Sequence, residues 1–190
     1  NCGSYERIIG RVYYELDPTL PQNTTIVDLD LAPRNQRGRV EFWADLDVLT
    51  PADPAKASGA ILYDVNNRGN KLALRMFNDG GGNNRRTATD CGNGFLMRQG
   101  ITVVWSGWDG ELLPGGDRLR LAAPPVKSND GVITGLVRCE IVETAATQRT
   151  VVNWANHGSY RPTEAGISHA TLTRRARPGD PGAESPRAEW

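Results

Sequence analysis

Two nearly unbroken apolar runs, AILYDV (residues 60–65) and ITVVW (residues 101–105), most narrow what this chain can become. A strand that is apolar on both sides has no wet face, which is the usual condition of a parallel strand covered by helices. The 35 residues between the runs, Asn66 to Gly100, are enough for the long crossover that parallel neighbours require. The last part of that crossover, NGFLMRQG, places helix formers at Phe95–Gln99 ahead of Gly100, the residue type favoured just past a helix end. A strand, helix, strand unit is therefore expected. Leu72, Leu74, Met76 and Phe77 fit either a second helical turn or an extended stretch.

The first sixty residues alternate instead. In ERIIGRVYYELD, Ile8, Val12, Tyr14 and Leu16 share one face. TTIVDLDLAPRN puts Val27, Leu29 and Leu31 opposite Asp28 and Asp30 until Pro33 stops it. GRVEFWADLDVLTP puts Val40, Phe42, Ala44, Leu46 and Val48 opposite Glu41, Asp45 and Asp47, the pattern of an antiparallel strand with one wet side. Further strands are expected in DRLRLAAPPV, GVITGLVRCEIVE, RTVVNWAN and HATLTRRAR, with a hairpin turn at Asn129-Asp130-Gly131. The expected organisation is residues 1–110 as the α/β part, 111–177 as a β-rich antiparallel insertion and 178–190 as a loop or disordered end.

Composition bounds the partners. Lys plus Arg number 22 and Asp plus Glu number 22, so the net charge is zero and no whole-chain field favours nucleic acid or an anionic membrane. Local bunches at Arg85-Arg86 and at Arg174, Arg175 and Arg177 sit in polar sequence and suggest solvated faces. No run approaches the roughly 18 apolar residues of a membrane span, and a soluble chain is expected. A start at Asn1 without initiator Met or leader suggests a piece of a longer product. Three cysteines, at 2, 91 and 139, lack metal-type spacing and do not specify a compartment.

Catalytic motifs are scarce. None of the seven serines has glycine both two before and two after it, so the G-x-S-x-G elbow is absent, and the two histidines, His157 and His169, lie late in the chain. No H-E-x-x-H or paired cysteines suggest a metal, and no cofactor is implied. NDGGGNN (78–84) lacks the G-K-[ST] ending of a phosphate cradle and suggests a flexible surface loop. The remaining candidate is NNRGN, residues 66–70, at the end of the first buried run, where open α/β sheets place ligands. Trp105, Trp108 and Asp109 end or follow the second run and could line a substrate cleft there.

The segments VDLDLAPRNQRGRVE, YDVNNRGN and GFLMRQGITVVWSGW, in this order, resemble the amino-terminal portion of a bacterial α/β-hydrolase-domain family of serine type. The resemblance runs from Gly3 to Ile141. It implies a partial α/β-hydrolase sheet: antiparallel edge strands, then a strand-helix-strand parallel unit, with a β-rich insertion. It implies hydrolysis of an ester or related acyl bond on a small-molecule substrate. It also implies that the loop after the first buried strand supplies oxyanion-hole amides, which carries over to the backbone of Asn67, Arg68 and Gly69. The family's nucleophile elbow lies downstream, so the chain by itself is expected to be inactive, to expose a parallel edge and to self-associate. The competing expectation is a non-enzymatic β-rich binding module for carbohydrate or a protein partner, with tryptophans as contacts. A third is a structural fragment with no ligand.

Overall fold

Alternating side chains over twelve residues favour a long two-stranded ladder, and β1 (Tyr5–Leu16) pairs antiparallel with β2 (Val40–Pro51) over their whole length, from Tyr5 opposite Pro51 to Leu16 opposite Val40. This is a computed structural model, and it describes residues 3–84, 86–125, 133–138, 140 and 162–189. The two apolar runs become β3 (Ile61–Asp64) and β4 (Thr102–Ser106), which pair in parallel as expected, Leu62 beside Val103 and Asp64 beside Trp105. The expected burial of the first run on both faces is overturned: Ile61, Tyr63 and Val65 are exposed, because the helices cover only the side that Leu62 and Asp64 share. Between them lie α1 (Ala73–Asn78) and α2 (Phe95–Arg98). Gly100, at φ +66°, closes the second of these with its N–H on the Met97 carbonyl. A short β5 (Leu121–Ala122) pairs with β2 at Trp43 and Ala44. The strand order is β1-β2-β4-β3, antiparallel except for the last pair, a mixed sheet in a mixed α/β chain.

Register sorts the side chains into rows. Leu62, Val103 and Leu49 form one row across three strands, with Asp64, Trp105 and Asp47 in the next. Helices α1 and α2 cover this face, so Leu49, Val103 and Trp105 pack with Ala73, Leu74, Leu96 and Met97. Each such apolar side chain stabilises by about 1.5–3 kcal/mol relative to exposure. The opposite face carries another row, Ile8, Val48, Val104 and Tyr63, across all four strands. There Ile8 and Tyr63 keep about half of their surface in solvent (53% and 52%).

Two strand expectations change. TTIVDLDLAPRN does not extend; residues 23–32 wind through successive i to i+3 turns, with a short 3-10 turn at Leu29–Leu31 and Asp28 left-handed at φ +57°. Period-two patterning makes a strand only where a ladder partner is found, and this stretch pairs with none; only Leu29 of it is buried. In β2 the wet-face reading of Asp47 is overturned. The strand buries Val40 and Ala44 in its first half but Asp47 and Leu49 in its second, because the helices cover the odd-numbered side only there.

The chain divides into two compact units, Asn1–Gly158 and Ser159–Trp190. The second holds α3 (Glu164–His169), capped by Thr163 Oγ1, which accepts from Gly166 N at 2.9 Å, and a two-residue pairing of β6 (Thr173–Arg174) with β7 (Ala183–Glu184). β7 lies in the stretch expected to be a loop or disordered end; a two-residue bridge needs no apolar pattern to announce it. Of the expected β-rich insertion, residues 133–138 carry no regular structure. The turn at 129–131, both ends of GVITGLVRCEIVE and all of RTVVNWAN lie outside the described residues.

Candidate functional site

The carboxyl ends of the parallel pair, Asp64 and Ser106, are where the sequence candidates collect. Just past β3, Asn67 and Asn70 exchange backbone hydrogen bonds, N to O at 2.9 Å and 3.0 Å, closing a turn whose central residues are Arg68 (φ +46°) and Gly69 (φ +82°). Two positive φ values in succession define the tight turn that suits a right-handed twist, and glycine meets that demand without strain at its own position.

Asn66 anchors this turn. Its side chain is 1% exposed; Oδ1 accepts from Gly69 N at 2.6 Å and Nδ2 donates to the Ser106 carbonyl at 2.7 Å. Its own carbonyl accepts from Trp108 Nε1 at 2.8 Å. One asparagine thus pins the loop after β3 to the end of β4 and to the loop beyond.

Two of the three amides expected to serve an oxyanion are therefore engaged within the turn: Asn67 N–H with Asn70 O, Gly69 N–H with Asn66 Oδ1. Gly69 is also wedged. A Cβ there would lie 2.7 Å from the Leu119 carbonyl oxygen and 2.9 Å from Leu112 Cδ1, so its lack of a side chain serves packing against the 112–119 loop. Arg68 stands at the apex, half-buried.

The three expected cleft residues separate. Trp105 has no exposed surface and is a core residue; its Nε1 donates to Asp64 Oδ2. Asp109 is buried, its Oδ1 accepting from Glu111 N at 2.9 Å. Trp108 is 48% exposed and stands beside the turn, so of the three it alone offers a ligand a broad face.

Beneath the turn lies a charge cluster that periodicity concealed. Asp47 accepts from Arg7 Nη2 at 2.6 Å and from Lys71 Nζ, and the Lys71 and Asp47 side chains are 2% and 1% exposed. The Lys71 ammonium also lies 5.9 Å from the Trp105 ring centroid. Burial pushes the Asp47 carboxyl up, but hydrogen bonds and charge from Arg7 and Lys71 outweigh it and hold the group below its usual range. Asp47 in turn, chiefly through its hydrogen bond, raises the Arg7 guanidinium above its ordinary value. Lysine directly after NNRGN was the available signal, since a strongly basic side chain entering a buried run requires a carboxylate partner. Asp64 caps a helix instead. Its Oδ2 accepts from Leu72 N at 2.7 Å and Ala73 N at 2.8 Å, closing the amino end of α1 from the neighbouring strand.

Among the described residues no three metal-ligating side chains gather, and no helix is long and apolar enough to cross a membrane. The fold and site define a mixed α/β domain with a pinned asparagine turn at the carboxyl end of a parallel strand pair. No family model, curated protein or solved structure matches the chain.

Proposed function

We propose that this chain is the amino-terminal part of a serine hydrolase of the α/β type that acts on ester or related acyl bonds. Its share of the site is the Asn66–Asn70 turn and Trp108, forming one wall beside the reacting acyl group. The observation that carries the reading is the joining of these two loops at the carboxyl ends of β3 and β4 through Asn66, where parallel α/β sheets hold their ligands. The amides of Asn67, Arg68 and Gly69 belong to the same proposal as oxyanion donors, with a geometric condition. Donation by Asn67 or Gly69 requires their hydrogens to leave Asn70 O and Asn66 Oδ1.

The uncovered row Ile8, Val48, Val104 and Tyr63 and the outer position of β3 extend the proposal to self-association of the 190-residue chain. The function is tested by expressing the coding sequence through its natural stop and treating the product with a serine-directed fluorophosphonate and a p-nitrophenyl ester. Labelling and turnover in that product, with neither in the 190-residue chain, are the expected result. Absence of both from a folded product, or a stop directly after Trp190, overturns it.

One observation favours the second reading, a carbohydrate-binding module. At the far end of β1 and β2, Tyr14 stacks on Phe42 at 4.7 Å, Arg11 lies 3.9 Å over the Trp43 ring and Tyr13 is 73% exposed. Aromatic faces beside polar groups suit sugar rings. Calorimetric binding of an oligosaccharide, lost in Trp43→Ala and kept in Trp108→Ala, would bring this reading forward.

A further inference from the structure

NDGGGNN, residues 78–84, expected to be a flexible surface loop, is tied down by its last two residues, Asn83 and Asn84. Asn83 Oδ1 accepts from Lys71 N at 2.9 Å, and its carbonyl accepts from Lys71 Nζ at 2.9 Å. Asn83 Nδ2 donates to Asn70 Oδ1 at 2.9 Å and to the Gly116 carbonyl at 3.4 Å, so it bridges the 66–70 turn and the loop after β4. Asn84 Oδ1 accepts from Arg7 Nη1 at 2.8 Å. The two cations that hold this strap are the two that share Asp47.

We propose that Asp47, Lys71 and Arg7 form a latch that holds residues 81–84 as a strap against the Asn66–Asn70 turn, and that loss of the Asp47 charge or of its Lys71 partner frees the strap while the β1–β2 ladder stays paired. The physical reason is local. With Asp47 neutral, the Lys71 ammonium loses its carboxylate counter-charge in a site closed to water, and it must turn toward solvent, taking its contacts with Asn83 apart. The ladder continues for twelve residues on backbone bonds that do not involve these side chains.

The groups facing Asp47 are Arg7 on β1, Lys71 after the turn and the uncharged Trp105 ring on β4; Ile9 stands opposite it on β1, and Asp117 acts on Arg7 from the loop after β4. The next pair on that face is Arg11 with Asp45 at 3.1 Å, where Asp45 also accepts from Arg120 N at 3.0 Å. The latch is thus shut at neutral pH and opens in acid, below the usual carboxylate range. It is independent of the reaction the domain serves.

Hydrogen exchange on the full chain at neutral pH tests this, comparing wild type with Asp47→Asn and Lys71→Met. The expected result is faster exchange, by about tenfold or more, at the amide of position 71, whose hydrogen Asn83 Oδ1 accepts, in both variants, with β1 and β2 amides unchanged. Lys71→Met keeps the Arg7–Asp47 pair, so it decides the matter even if Asp47→Asn loosens the sheet. Unchanged exchange at position 71 in Lys71→Met overturns the proposal, as does loss of the ladder together with the strap in both variants.

Discussion

At the residue scale, the consequences follow from side chains and backbone held with little room to adjust. Gly69 combines φ +82° with backbone 2.7 Å from where a Cβ would sit. Gly69→Ala should therefore destabilise by more than the roughly 1–2 kcal/mol of left-handed strain alone, seen as a lower urea midpoint. Asp47→Ala leaves buried Lys71 without its carboxylate, and a loss of about 3–5 kcal/mol is expected in the same measurement. The pH dependence has a definite sign. Because Asp47 is held below its ordinary value when folded, its contribution is fully present above the unfolded carboxyl value, near about 3.9. It is lost as pH falls through the lower folded value. Urea midpoints measured from neutral pH down into strong acid should fall less steeply in Asp47→Asn than in wild type. Neither Asp47 nor Lys71 was legible as a partner in the sequence, because alternation assigns Asp47 a face but cannot say which face the helices will cover.

At the element scale, α1 is only six residues long, too short to persist without capping and packing. Its cap comes from another element: Asp64 at the end of β3 accepts from the amides of Leu72 and Ala73 and from Trp105 Nε1. Asp64→Ala removes the cap and the carboxylate that the buried indole N–H bonds, which should cost about 2 kcal/mol or more and lower the thermal midpoint. Leu74 packs on the other side of this helix with no exposed surface, and Leu74→Ala should cost about 2–5 kcal/mol. The parallel pair and the Phe95–Arg98 helix were legible because double-sided apolarity and a terminal glycine are local signals. The 24–35 stretch misled because its alternation has the same period as a strand, yet it takes no ladder partner in the sheet.

At the scale of the whole molecule, the sheet is covered on one face by α1 and α2 and carries an apolar row on the other. A parallel pair is stable when both of its faces are covered, so this row should drive association. Sedimentation of the 190-residue chain should show self-association that Tyr63→Lys weakens, because Tyr63 is 52% exposed in that row; a clean monomer at high concentration would rule it out. The candidate site was legible in part. NNRGN announced a turn at the end of a buried strand, and a turn is what forms; the use of two of its amides within the turn is a matter of folded geometry, and the wedging of Gly69 against Leu119 depends on a segment far along the chain. The sequence by itself determined the paired strands, the parallel crossover and the place of the turn, since these rest on periodicity and on neighbouring residues. Only the tertiary structure decided which face of β2 is buried, that Trp105 is core while Trp108 is open, and that Lys71 finds Asp47. Burial and charge pairing are set by contacts between segments distant in the chain, and local pattern carries no information about which segments will meet.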